Sequence, residues 1–350
     1  MASTSGRYRP GVKGETGTDP PQREAELMEL VGEARPHLAR VGPQNEAWLS
    51  RLENEHDALH DLMERLITAD PKSALEVAAS LWPYWWLRDH MSEGRAFLER
   101  VVDIDGPDRS VALRGLGTIA FRQGDVERAE RAFRERLELV EREGTQRDVV
   151  EAFTDLARIA LRRGDYSGVR RYAGRAYDEA AGLDPGDRRG PIHLRAAAAR
   201  MEGRLDEARA LYLESREINE SIGNALNVAG EDHNLFYVAL HAGDREEAQK
   251  RFRASSRWIF ANDNSYLRPY AILDAGVLAL HDGDPERAGR LVSAAQRIFE
   301  DSGSIPDPDD HAELDRAVAR LKQELGDRFD SVWADGRRLS LAEAQSLAQR

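Results

Sequence analysis

Four consecutive residues, Glu231-Asp232-His233-Asn234, place carboxylate, imidazole and amide groups side by side, the ingredients of general acid–base chemistry. Successive residues of a helix project about 100° apart, so the four cannot converge on one substrate. His233 and Asn234 are left as contacts on one surface. His56 and His60 stand at i, i+4, a spacing that lets two imidazoles share a metal, with Glu55, Asp57 and Asp61 beside them. Two histidines at that spacing are a weak signal, and no metal site is assigned. The 350 residues include no cysteine, no glycine-rich elbow around a serine and no Gly-x-x-x-x-Gly-Lys-Ser/Thr phosphate loop. No catalytic residue and no cofactor is assigned, and the reading leans towards recognition and away from an enzyme.

The remaining reactive groups are mostly arginines, and what they can do depends on the elements that carry them. The chain has 63 acidic and 50 basic residues and a net charge of −13, which argues against nucleic acid or an anionic membrane as a partner through overall charge. Five glycine turns recur, at Gly124, Gly164, Gly203, Gly243 and Gly283, spaced by 40, 39, 40 and 40 residues. A glycine tolerates the positive φ that ends one helix, and the aspartate after it (Asp125, Asp165, Asp244, Asp284) is suited to cap the next. Arg204 is the exception. Five residues beyond each glycine stands Ala129, Val169, Ala208, Ala248 or Ala288, where two helices must approach closely. Eight and four residues before most of them lies an apolar i, i+4 stripe, as in Leu116/Ala120 and Leu235/Ala239. Two amphipathic helices per unit, neither able to bury its face alone, predict an all-α fold, a right-handed α-solenoid.

This repeat resembles the tetratricopeptide (TPR) pattern over roughly residues 110–302, with a period of 40 where that repeat usually has ~34. The resemblance implies that the first helix of each pair lines a concave groove, at positions about thirteen, ten, six, three and two before the turn glycine. Counting back places Arg114, Phe121, Arg122, Arg158, Arg162, His193, Arg200, His233, Tyr237 and His241 there, with Asn234 beside His233. Five arginines and four histidines, His281 being the fourth, against the single acid Glu151 predict a basic groove inside an acidic protein. It would attract a protein or peptide partner of acidic character, with arginine offering bidentate contacts. The alternative is a small-molecule (natural-product) module, or a cofactor-free enzyme using the same groove.

Upstream, Trp48, Leu49, Leu52, Glu53, Glu55, His56 and Asp57 are followed by the aromatic knot Leu81-Trp82-Pro83-Tyr84-Trp85-Trp86 and by Arg88, His90, Glu93, Gly94 and Arg95. These residues are similar to the start of the TPR region of actinobacterial NB-ARC/LuxR-like ATPase transcriptional regulators, and Phe329–Gln349 resembles that region's close. The resemblance implies a regulatory role without the ATPase motor. Trp82, Trp85 and Trp86 at i, i+3, i+4 fit core packing against the next pair, and Pro83 should bend their helix. Asp89, 35 residues before Gly124, takes the turn position of a degenerate first repeat. The expected organisation is a disordered tail at 1–23, an N-terminal helical region at 24–106, five repeats at 107–302 and capping helices at 303–350. No apolar run is long enough to span a bilayer and no secretion signal is present, so a cytoplasmic location is expected.

Overall fold

A computed structural model of the chain describes residues 20–38 and 43–350. Residues 1–19 of the expected tail lie outside the described residues, and the first helix starts at Pro20, inside the 1–23 segment. An N-terminal group comprises α1 (Pro20–Leu38), α2 (Pro43–Glu53), α3 (His56–Ala69), α4 (Pro71–Leu87) and α5 (Met91–Val101). Five antiparallel pairs follow: α6 (Arg109–Arg122) with α7 (Val126–Glu143), α8 (Gln146–Arg162) with α9 (Tyr166–Glu179), and α10 (Arg189–Met201) with α11 (Leu205–Ser221). Then come α12 (Ala225–His241) with α13 (Arg245–Ala261) and α14 (Arg268–His281) with α15 (Pro285–Asp301). The chain closes with α16 (Pro308–Leu325), α17 (Phe329–Arg338) and α18 (Leu341–Ala348). No strand occurs among the described residues, and the architecture is the expected right-handed solenoid of TPR-like pairs.

Local sequence accounts for the pairs. All five turn glycines adopt positive φ, between 69° and 83°. The following aspartates cap as their spacing predicts: Asp125, Asp165, Asp244 and Asp284 each accept from the backbone N–H three residues on, at 2.8–3.1 Å. Arg204 offers no side-chain cap. The small residues five beyond the glycines are fully buried, as are Leu116, Ala120 and Phe133 or nearly so. Such close contact between helices is what drives the stacking of units that cannot fold singly.

The aromatic knot divides three ways. Trp85 is core, 2% exposed and stacked on Phe97 with ring centres 5.8 Å apart. Trp82 lies on Gly115 of α6, where any Cβ would collide with the indole, so glycine is required at that crossing. Trp86 reaches across the solenoid to meet Tyr266 edge-on at 5.7 Å. Pro83 sits inside α4, which runs unbroken to Leu87.

Candidate recognition site

The first helices α6, α8, α10, α12 and α14 carry the predicted groove residues, but the groove is not open. The segment after α15 turns inward, and Ile305 N–H donates to the carbonyl of Arg122 at 2.9 Å. From there Asp307 and the first two turns of α16, with Asp309, Asp310 and Glu313, run along the concave face. Each acid meets a predicted groove cation. Arg122 donates to both oxygens of Asp307 at 3.2 Å and to the Tyr266 hydroxyl at 2.6 Å. Arg162 donates to the Pro306 carbonyl at 2.8 Å and its guanidinium stands 4.5 Å over the Phe121 ring. Arg200 pairs with Asp309 at 2.8 Å and Asp310 at 3.3 Å, and donates to Asn234 Oδ1 at 3.2 Å. His233 is held between Asp274 (2.7 Å) and Asp310 (3.1 Å), and His241 reaches Glu313 at 3.2 Å.

The groove cations predicted to meet a partner are thus mostly engaged by the chain's own acids. Arg122 and Arg200 are 6% and 3% exposed, and Tyr237, expected as a flat contact for a ligand, is wholly buried. Tyr237 lies edge-on to His233 and beneath the Arg200 guanidinium, 5.1 Å from its ring centre. The physical reason is charge matching within one chain. Buried guanidinium and carboxylate groups are tolerated only when paired, and here the acids come from Asp307 and the distant helix α16, not from the helices that bear the arginines. Arg114 is the nearest to a same-face pair, donating to Glu151 at 2.7 Å.

The electrostatics follow the pairing. Burial alone would push Asp307 up, yet Arg122, Arg162 and Arg158 together hold it down at about 2. Glu313, likewise penalised by burial, is brought to about 2 by His241, Arg200 and Arg316. Burial pulls His233 down, but Asp274 and Asp310 outweigh it and raise the imidazole well above its ordinary value. Burial depresses and Glu231 raises His193, with a net rise.

Between this acidic strap and helices α8, α10 and α12 a cavity of about 220 Å³ remains. Of the eleven predicted residues, Phe121, Arg122, Arg158, His193, His233 and Asn234 line it; Arg114, Arg162, Arg200, Tyr237 and His241 do not. Sequence reasoning missed Arg189, Ser215, Asn219 and Asn227 on its wall. Arg189 stands one residue before a predicted inward position, so counting alone could have reached it. Arg158 and Arg189 differ from the other groove cations, because neither side chain forms an ion pair or hydrogen bond among the described residues, and the buried Arg158 Nε has no partner. Burial draws Arg189 below its ordinary value, with Asp187 opposing and Arg158 adding to the pull. Asn219 is 1% exposed and its Oδ1 also lacks a partner. The cavity can thus accept an anion on two guanidinium groups and a donor on Asn219.

Elsewhere, His56 and His60 both direct a ring nitrogen to Glu93 at 3.4 Å, and His56 stacks on His90 at 4.1 Å. Among the described residues no cluster of three or more His, Asp or Glu is arranged to hold a metal ion, and no helix is long and apolar enough to cross a membrane.

Residues 92–178 match the tetratricopeptide repeat family. The chain has no match among curated protein sequences. Its fold is similar to that of a Rap protein complexed with Competence and Sporulation Factor, with TM-score 0.61 and 13% identity over 93% of this chain and 99% of that one. The apo form of RapI gives TM-score 0.55 and 8% identity, covering 85% of this chain and 99% of that one. Cut9-Hcn1 of an APC/C hetero-tetramer gives 0.51 and 14%, covering 84% of this chain and 52% of that one. At such identities the likeness is one of fold.

Proposed function

We propose that the protein is a non-enzymatic interaction scaffold that takes a carboxylate-bearing segment of a partner protein or peptide into the cavity between α8, α10 and the acidic strap. The observation that carries this reading is the pair Arg158 and Arg189, two half-buried guanidinium groups that feel nearby carboxylates but form no direct ion pair among the described residues, whereas Arg122 and Arg200 are engaged. Two adjacent guanidinium forks in a site shielded from water favour a planar anion. The chain's own Asp307 and Asp309, paired with Arg122 and Arg200 on the same wall, support a carboxylate as the group such cations take. Similarity of fold to a Rap protein complexed with Competence and Sporulation Factor supports a recognition role, and the sequence resemblance to actinobacterial transcriptional regulators is what suggests a regulatory one.

The test is affinity selection from a randomised peptide display library with the wild type and with Arg158→Glu/Arg189→Glu. Wild type should enrich peptides bearing Asp, Glu or a free C-terminal carboxylate, and the reversal should lose them while melting within a few degrees of wild type, because neither guanidinium makes a direct ion pair within the chain. Enrichment indifferent to acid content, or identical clones from the variant, would overturn the reading. A second reading, a small anionic metabolite, is favoured by the limited volume of the cavity, and native mass spectrometry of protein purified from its own source distinguishes it.

A further inference from the structure

A second cavity, of about 270 Å³, lies on the other side of Arg122, where the N-terminal group meets α14 and α15. It is walled by rings in continuous contact: Trp86 on Tyr266, Tyr266 on Tyr270 at 5.8 Å, and Tyr270 on Phe299 at 5.0 Å. Met91 and Ile298 complete the apolar surface. Of the charged residues in this wall, Arg122 is neutralised by Asp307, Arg268 by Asp263, and Asp301 by Arg297. Asp89 alone forms no hydrogen bond or ion pair among the described residues.

Asp89 is unusual in its backbone as well. It occupies the turn of the degenerate first unit with φ 61°, where the five regular turns use glycine. An L-residue at such φ carries strain that glycine avoids. The other non-glycine residue with positive φ, Asp263, is bound through its side chain to Arg268, whereas Asp89 has no such compensation. Asp89 is exposed to solvent at the mouth of the cavity, and the part of its carboxyl that the wall covers is pushed up, with His90 and Arg88 opposing. The conformation closes α4 as the glycine turns close theirs, with His90 N–H donating to the Trp85 carbonyl at 2.8 Å, so what sets Asp89 apart is its unpaired carboxylate on the cavity wall.

The geometry points to this cavity as a binding site for an organic cation, an ammonium or guanidinium head on an apolar stem of the kind a lysine or arginine side chain carries. The head would pair with Asp89 and the stem would lie against Trp86, Tyr266, Tyr270 and Phe299. Aromatic faces attract such heads electrostatically, and the molecule contains its own instance, the Arg122 guanidinium 4.8 Å over the Tyr266 ring and 5.8 Å over Trp86. The inference does not depend on the acid-recognition reading, since the only free charge here is negative.

Calorimetric titration of the full chain with three capped residues, N-acetyl-arginine methylamide, N-acetyl-lysine methylamide and N-acetyl-norleucine methylamide, and with free hexylamine and hexanoate, tests it. At least one of the capped basic residues should bind saturably and the norleucine and hexanoate probes at least tenfold more weakly. Asp89→Gly should lose at least tenfold in affinity for the cation while its melting temperature stays equal or rises, because glycine suits the turn. Binding of hexylamine without either capped residue would assign the same cation site to a free amine. Equal binding of the norleucine probe, no binding of any cation, retained affinity in Asp89→Gly, or a lowered melting temperature in that variant would each overturn the proposal, the last by making Asp89 a structural residue.

Discussion

Arg200→Met should unfasten the acidic strap. Arg200 is 3% exposed and is the direct cation for Asp309 and Asp310, each 4% exposed. Methionine keeps most of the stem's volume and its place near Tyr237 but removes the charge, leaving two buried carboxylates with only His233 still facing one of them. Removing one partner of a buried pair costs ~3–5 kcal/mol, mostly through the uncompensated charge left behind. At ~2 °C per kcal/mol for a chain of this size, the melting temperature should fall by about 6–10 °C. Hydrogen exchange monitored by mass spectrometry should show the 304–313 amides losing protection before the repeats do. Adding Asp309→Asn/Asp310→Asn to the variant removes the stranded charges and should recover ~1–3 kcal/mol, the coupling expected of groups in direct contact. A melting temperature within about 2 °C of wild type, the effect of an exposed pair, would refute the claim that these charges hold the strap.

Acidification should release the same segment. Asp307 and Glu313 are held at about 2, below the ordinary ~3.9 and ~4.3, so their contribution is complete above pH ~4.5 and is lost as pH falls towards 2. A melting temperature flat across that window would contradict the pairing. His233 acts in the opposite sense, since its raised value makes its contribution complete below the ordinary ~6.5 and declining as pH rises above it. His233→Gln should therefore flatten the alkaline side of the stability profile and leave the drop between pH ~4.5 and ~2 in place. Trp85→Ala should cost ~3–5 kcal/mol by removing a fully packed indole, and a melting temperature equal to wild type would place Trp85 outside the core.

What the sequence determined by itself was the repeat. Turn glycines at positive φ, aspartate caps and small residues at helix crossings are short-range requirements of the backbone, and they recur with the period, so each can be read from a few neighbouring letters. Even the degenerate turn at Asp89 was legible as a position, though not its strain. Only the tertiary structure decided which charges are free. Arg158 and Arg162 stand four residues apart on α8 and look equivalent as letters. One is tied to the carbonyl of Pro306 and the other borders an open cavity. Arg122 meets Asp307 across 185 residues, a separation that no periodicity encodes. That contact exists because the stacked pairs curve until the segment after the last repeat returns to the first, and burial there selects the carboxylates that the buried guanidinium groups need.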